Sequence, residues 1–184
     1  MTKQLDTFSI QIVANYLKCK EDYLNIIQVK KQFQYVLDRF RINPIPITEE
    51  TKNLFQCIET QQVFKPKDES NELILENINI IQYNSKINYS EMIQMKEENK
   101  NKTMKFKKVS YSQEDRTKYG DEIPKEVTIL DKACFKNNTL TRIEIPSTIT
   151  EMMDSCFRFS YSLEEIILPN SIIKIGKECF GYCY

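Results

Sequence analysis

The chain has 184 residues, 41% apolar and 28% charged, and its 26 Lys and Arg balance 26 Asp and Glu. Zero formal net charge argues against a global basic field for nucleic acid or an acidic one for basic partners. With no His, imidazole acid–base chemistry, His-activated nucleophiles and the commonest metal ligand are excluded, and Gly only at 120, 176 and 181 argues against a backbone-cradled phosphate.

The first element in chain order is a helix from about Phe8 to Leu17. Asp6-Thr7 can cap it, and Ile10, Val13 and Leu17 share a face. A second helix is predicted from Asp22, with Tyr23, Ile26, Ile27, Val29, Phe33, Val36, Leu37 and Phe40 recurring at steps near three and four. Asn43-Pro44-Ile45-Pro46 ends it, because proline lacks an amide donor and restricts the residue before it. Residues 1–43 are thus read as a helical segment. Residues 44–108 are read as a mixed α/β connecting region. Thr48-Glu49-Glu50 looks like a helix start, Leu73–Leu75 and Ile78–Ile81 look like strands, and the polar 94–108 stretch looks like a loop. Within it, Lys102 to Lys108 reads as a solvated basic run.

From residue 109 the chain is read as repeats, with units 123–145, 146–168 and 169–184. Pro124, Pro146 and Pro169 are 22 and 23 apart, and Cys134-Phe135, Cys156-Phe157 and Cys179-Phe180 recur at the same spacings. Leu140, Ile143 and Ile145 recur as Leu163, Ile166 and Leu168. Each unit is expected to run from a proline turn into a short extended piece, then a helical turn that drives Cys-Phe inward, then a strand with alternating inward residues. One unit cannot bury this apolar set alone, whereas stacked units can. The expected repeat core is Cys134, Phe135, Leu140, Ile143, Cys156, Phe157, Leu163, Ile166, Cys179 and Phe180. The fold class is α+β: an N-terminal helical segment, a mixed α/β middle and a repeat solenoid of about two and a half units.

The pattern P-x-x-[VI]-x-x-[LMI]-x-x-x-C-F, followed by L-x-x-I-x-[IL], resembles the leucine-rich repeats of the BspA-like family. Gly176 fits the family's Gly-x-x-[AC]-Phe turn, while Asp131 and Met153 replace the glycine in the other units. The resemblance implies a non-enzymatic protein–protein interaction scaffold that binds through its repeat sheet. Leu5 to Phe33 resembles an F-box through Leu5, Ile10, Val13, Tyr16-Leu17, Asp22-Tyr23-Leu24, Val29 and Phe33, with Asp6 where the F-box proline is expected. That resemblance implies a ubiquitin-ligase substrate adaptor docking a Skp1-like protein through residues 5–33. A cell-surface antigen or adhesin is the third reading, from the repeat family.

On the strands, Arg142 and Glu144 are expected beside Glu165 and Ile167, with Arg142 and Glu165 as a cross-strand charge pair. These four are the candidate partner-binding residues. The six cysteines, Cys19, Cys57, Cys134, Cys156, Cys179 and Cys183, form no CxxC and are expected as free thiols, with Cys183 exposed and reactive. No catalytic residue, metal or cofactor is expected. No stretch approaches the roughly 20 apolar residues of a membrane helix, and no secretory signal is read at the N-terminus, so a cytoplasmic protein is expected. The third unit stops before the strand that the first two complete. This predicts a truncated product, a gene fragment, or an edge that another chain covers.

Overall fold

The computed structural model describes residues 5–65 and 72–183. The chain divides into two compact units, residues 1–85 with 100–105, and residues 86–99 with 106–184.

In the first unit, α1 spans Thr7–Ala14 and α2 spans Lys20–Val29. The Asp6 carboxylate accepts the Ser9 amide at 2.7 Å and starts α1, satisfying one of the donors that a helix start leaves open. Ile10 and Ala14 are buried, but Val13, expected on their face, is exposed. Asp22, the expected cap of the second helix, lies inside the first turn of α2, whose N-cap is Cys19. There Asp22 and Glu21 favour the positive end of the helix dipole.

The second helix was expected to reach Phe40, and it stops at Val29. Lys30 is extended, and two 3₁₀ turns follow, Lys31–Phe33 and Leu37–Arg39. The core explains the break. A straight helix would hold Tyr23 and Phe40 roughly 25 Å apart, yet their rings meet at 6.1 Å. Phe55 joins them edge-on, 5.2 Å from Tyr23 and 5.4 Å from Phe40. The Tyr23 hydroxyl donates to the Ala14 carbonyl at 2.9 Å, and burial pushes its pKa up to about 12. Around this triad pack Phe33, Val36, Leu37, Ile45, Ile47, Ile58 and Ile78.

Two buried amides organise the rest of this unit. Asn43 donates to the carbonyls of Ile45 and Gln62, both at 2.9 Å, and accepts the Gln62 amide at 2.6 Å. This ties the proline segment to β1, Thr60–Val63, which runs parallel to β2, Ile80–Asn88. The side chain of Gln61 donates to the Leu73 carbonyl and accepts the Leu75 amide. Leu73–Leu75, predicted as a strand, is irregular: Gln61, the Ile47 carbonyl and Lys102 meet its polar groups in place of a neighbouring strand. Thr48-Glu49-Glu50 opens a turn and no helix. The Thr51 hydroxyl accepts the Thr48 amide and donates to the Pro46 carbonyl, which closes the turn on itself.

The polar stretch 94–108 is also not a loop. α3 spans Tyr89–Glu98 and β3 spans Thr103–Tyr111. Lys105, Lys107 and Lys108 hide the alternation of half-buried Met104 and Phe106 with exposed neighbours. Lys102 is not a solvated charge. Its ammonium donates to the carbonyls of Leu75, Glu76 and Ile78 at 2.9, 3.3 and 3.0 Å.

In the second unit, α4 spans Gln113–Tyr119 and opens on a capping box, in which Ser112 and Asp115 each accept the other's amide. The other Asp115 oxygen accepts the Ser90 amide at 3.0 Å, so one buried carboxylate serves the starts of both α3 and α4. Short strands then alternate between two ladders. β4 (Ile129–Leu130), β6 (Glu151–Met152) and β8 (Lys174–Ile175) follow β3 in one parallel ladder. β5 (Arg142–Glu144) and β7 (Glu165–Ile167) form a second, separate parallel pair.

Candidate partner-binding surface on the repeat strands

Strands of two or three residues cannot hold a unit together alone, and the turns between the ladders supply the rest. The amides of Ala133, Phe135 and Asn137 donate to the carbonyls of Asp154, Cys156 and Arg158 at 2.8 to 3.1 Å. One unit later, Ser155, Phe157 and Phe159 donate to Lys177, Cys179 and Gly181 at 2.7 to 2.9 Å. The 22- and 23-residue spacing is therefore a hydrogen-bond register.

The turn was expected to be helical, and it is not. Each carries two residues in the left-handed region: Ala133 and Asn137, Ser155 and Phe159, Glu178 and Tyr182, with φ between 50° and 61°. This conformation turns every second amide toward the next unit. Asn adopts it easily, whereas an aromatic side chain there is strained. Phe159 and Tyr182 offset the strain by stacking at 5.0 Å, with the Arg158 guanidinium 4.6 and 5.3 Å from the two ring centres.

The Cys-Phe columns occupy the interior. Cys134, Phe135, Cys156 and Phe157 are fully buried and Cys179 is 3% exposed. Phe135 stacks on Phe157 at 5.1 Å, and Phe157 on Phe180 at 5.6 Å, with the rings within 14° of parallel. Ile143 is buried, while Leu140, Leu163, Ile166 and Phe180 are half-buried. Burial pushes the Cys134 thiol up, and a hydrogen bond with Cys179 together with burial does the same at Cys156, so both stay protonated. Cys183 is half-buried, and its thiol donates to the Phe157 carbonyl at 3.1 Å. It repeats the bond that the Ser160 hydroxyl makes to the Phe135 carbonyl one unit earlier. That column, Asn138, Ser160 and Cys183, needs a polar hydrogen, and hence the residue that follows each Phe by three is never apolar. Gly176 answers a different demand. A Cβ there would stand 2.4 Å from the Asp154 amide nitrogen.

The four candidate binding residues lie on β5 and β7. The register pairs Arg142 with Glu165 and Glu144 with Ile167. The Arg142 guanidinium reaches Glu165 at 3.0 Å, and both side chains are more than half exposed. Such a pair contributes less than about 1 kcal/mol to stability. Its effect is to fix the pattern of charge on the outward face, beside the exposed edge of Ile167. Inward, Ile143 and Ile145 are buried.

Beside β5 lies a groove of about 590 Å³. Its lining is part apolar, Ile123, Leu140, Ile143 and Pro146, and part charged, Asp121, Glu122, Arg142 and Glu144. Among the described residues no group of three His, Cys, Asp or Glu could hold a metal ion, and no helix is long and apolar enough to cross a membrane.

Stacked parallel ladders with a repeating inward Cys-Phe make up this part of the chain. Residues 104–184 match the family described as the BspA type leucine rich repeat region, in six copies. Repeats of this family are protein-interaction modules and are in general not enzymes. The match begins 19 residues before Ile123, and it takes in β3. The structure gives the reason: Ser110 and Tyr111 pair with Ile129 and Leu130 as those pair with Glu151 and Met152. No curated protein and no solved structure matches the chain.

Replacing Phe157 by Ala removes the middle ring of the stack and should destabilise the repeat unit by about 3–5 kcal/mol. A lower urea midpoint for its unfolding is the readout. In the native protein, alkylation followed by mass spectrometry should label exposed Cys19 first and leave Cys134 and Cys156 unmodified until denaturant is added.

Proposed function

We propose that the chain is a non-enzymatic interaction scaffold whose repeat stack, a solenoid, presents the outward side chains of β5 and β7 to a protein partner. The observation that carries this reading is the in-register row of Arg142, Glu144, Glu165 and Ile167 on a sheet whose other side is anchored in the core. A photo-crosslinking residue placed at Glu144 or Ile167 should capture a discrete protein in extracts of the source cells. The same residue at Lys177, on the exposed turn, should not. Equal capture at all three positions sinks the reading.

A second reading rests on α1. Phe8 and Ile12, one turn apart on α1, are 71% and 48% exposed, and Leu5 and Tyr16, just outside its two ends, are 53% and 77% exposed. This apolar stripe supports docking of residues 5–33 on a Skp1-like protein, as an F-box adaptor would dock. Phe8→Asp with Tyr16→Asp should abolish co-purification with a Skp1-like protein while leaving the thermal midpoint within a few degrees. Undiminished co-purification rejects the adaptor reading.

A further inference from the structure

β5 has a strand on one side only. Backbone groups of successive strand residues face opposite edges. The Thr141 carbonyl accepts from Glu164 and Glu165, and the Ile145 amide donates to Ile167, so residues 141, 143 and 145 turn toward β7. Arg142 and Glu144 therefore turn their amides and carbonyls to the other edge, where no strand among the described residues pairs with them. In the larger ladder β3 stands before β4, but among the described residues no strand stands before β5. The chain there forms α4 and an irregular loop at Asp121–Ile123.

The groove of about 590 Å³ runs along this free edge. Its volume falls within the ~300–1,000 Å³ of typical ligand clefts. Its apolar lining, Ile123, Leu140, Ile143 and Pro146, suits alternate apolar side chains of an extended peptide. Its charges are not balanced. Arg142 is held by Glu165, and Asp121 by Arg116. Glu122 and Glu144 remain, two carboxylates with no cation within ion-pair distance among the described residues.

We propose that this edge binds an extended segment of a partner protein that alternates Lys or Arg with apolar residues, added as a third strand beside β5. The inference rests on the reading of the repeat strands as the partner-binding region and moves recognition from their face to their edge. Backbone pairing at Arg142 and Glu144 supplies the register. The apolar side chains enter the groove, and the cations approach Glu122 and Glu144.

The test uses the whole protein and a fluorescently labelled peptide, acetyl-Lys-Val-Arg-Val-Lys-Val-amide, followed by anisotropy. The basic peptide should bind, and its Glu-for-Lys/Arg counterpart should not. Methylating alternate backbone nitrogens, tried in both registers, should weaken binding by about tenfold or more in one of them, because each register removes the donors of one peptide edge. The Glu122→Gln, Glu144→Gln double variant should weaken it by about tenfold, with a shallower salt dependence. Glu144→Pro, which removes an amide facing the free edge as well as the carboxylate, should weaken binding more than Glu144→Gln while the melting temperature stays near wild type.

Undiminished binding of both methylated peptides, or of the double Gln variant, overturns the proposal. If Ile167→Asp then abolishes binding, the face reading survives without the edge. If no change on β5 or β7 affects binding, both readings fall. A concentration-dependent dimer that the peptide dissolves and Glu144→Pro abolishes makes the occupant a second copy, and that too overturns the proposal.

Discussion

The second unit depends on one constraint: each repeat satisfies much of its backbone on its neighbours. A two-residue strand has no ladder within its own unit, and the amides of Phe135 and Phe157 find their acceptors one unit further on, at Cys156 and Cys179. An unpaired buried amide costs about as much as a lost hydrogen bond and its desolvation together, ~1–3 kcal/mol. Spacing is thus held more strictly than composition. Units of 22 and 23 residues coexist, because the extra residue falls in the exposed chain around Tyr161 and Ser162, away from the paired turns.

That register dictates what each column can hold. The turn interior admits a small thiol and a flat ring, and the ring must lie nearly parallel to its neighbours. The residue three further on must supply a hydrogen to a carbonyl of its own unit or the one before, which Asn, Ser and Cys do in turn. The outward positions answer to no such demand. Arg142, Glu144, Glu165 and Ile167 differ between units although they share a register. Outward side chains that vary on a constrained stack are what a recognition surface requires.

The repeat strands were legible in the sequence because every unit meets the same surroundings, so the same residue types return at fixed steps. The first unit has no such redundancy. Its core gathers Tyr23, Phe40 and Phe55 from three separate segments, and helical spacing through Val36 and Phe40 reads as one long helix because periodicity does not register the break at Lys30. β3 escaped for a different reason. Its lysines disguise the alternation, and it precedes β4 by 19 residues, not 22, with Tyr111 where later units carry Leu, Met or Ile. The groove beside β5 was invisible to column alignment, since it exists where the pattern lacks a strand.

The direction of the turn amides has an electrostatic consequence. In both stacked interfaces the three turn amides point the same way, from the earlier unit to the later. Peptide dipoles so aligned add, as they do along an α-helix, although here the axis crosses the chain in place of following it. The turn row therefore acts as a transverse macrodipole, positive toward the later units. The Glu178 carboxylate lies on the last of these turns, where that field favours an anion, and Arg158 holds it from the turn before at 3.1 Å.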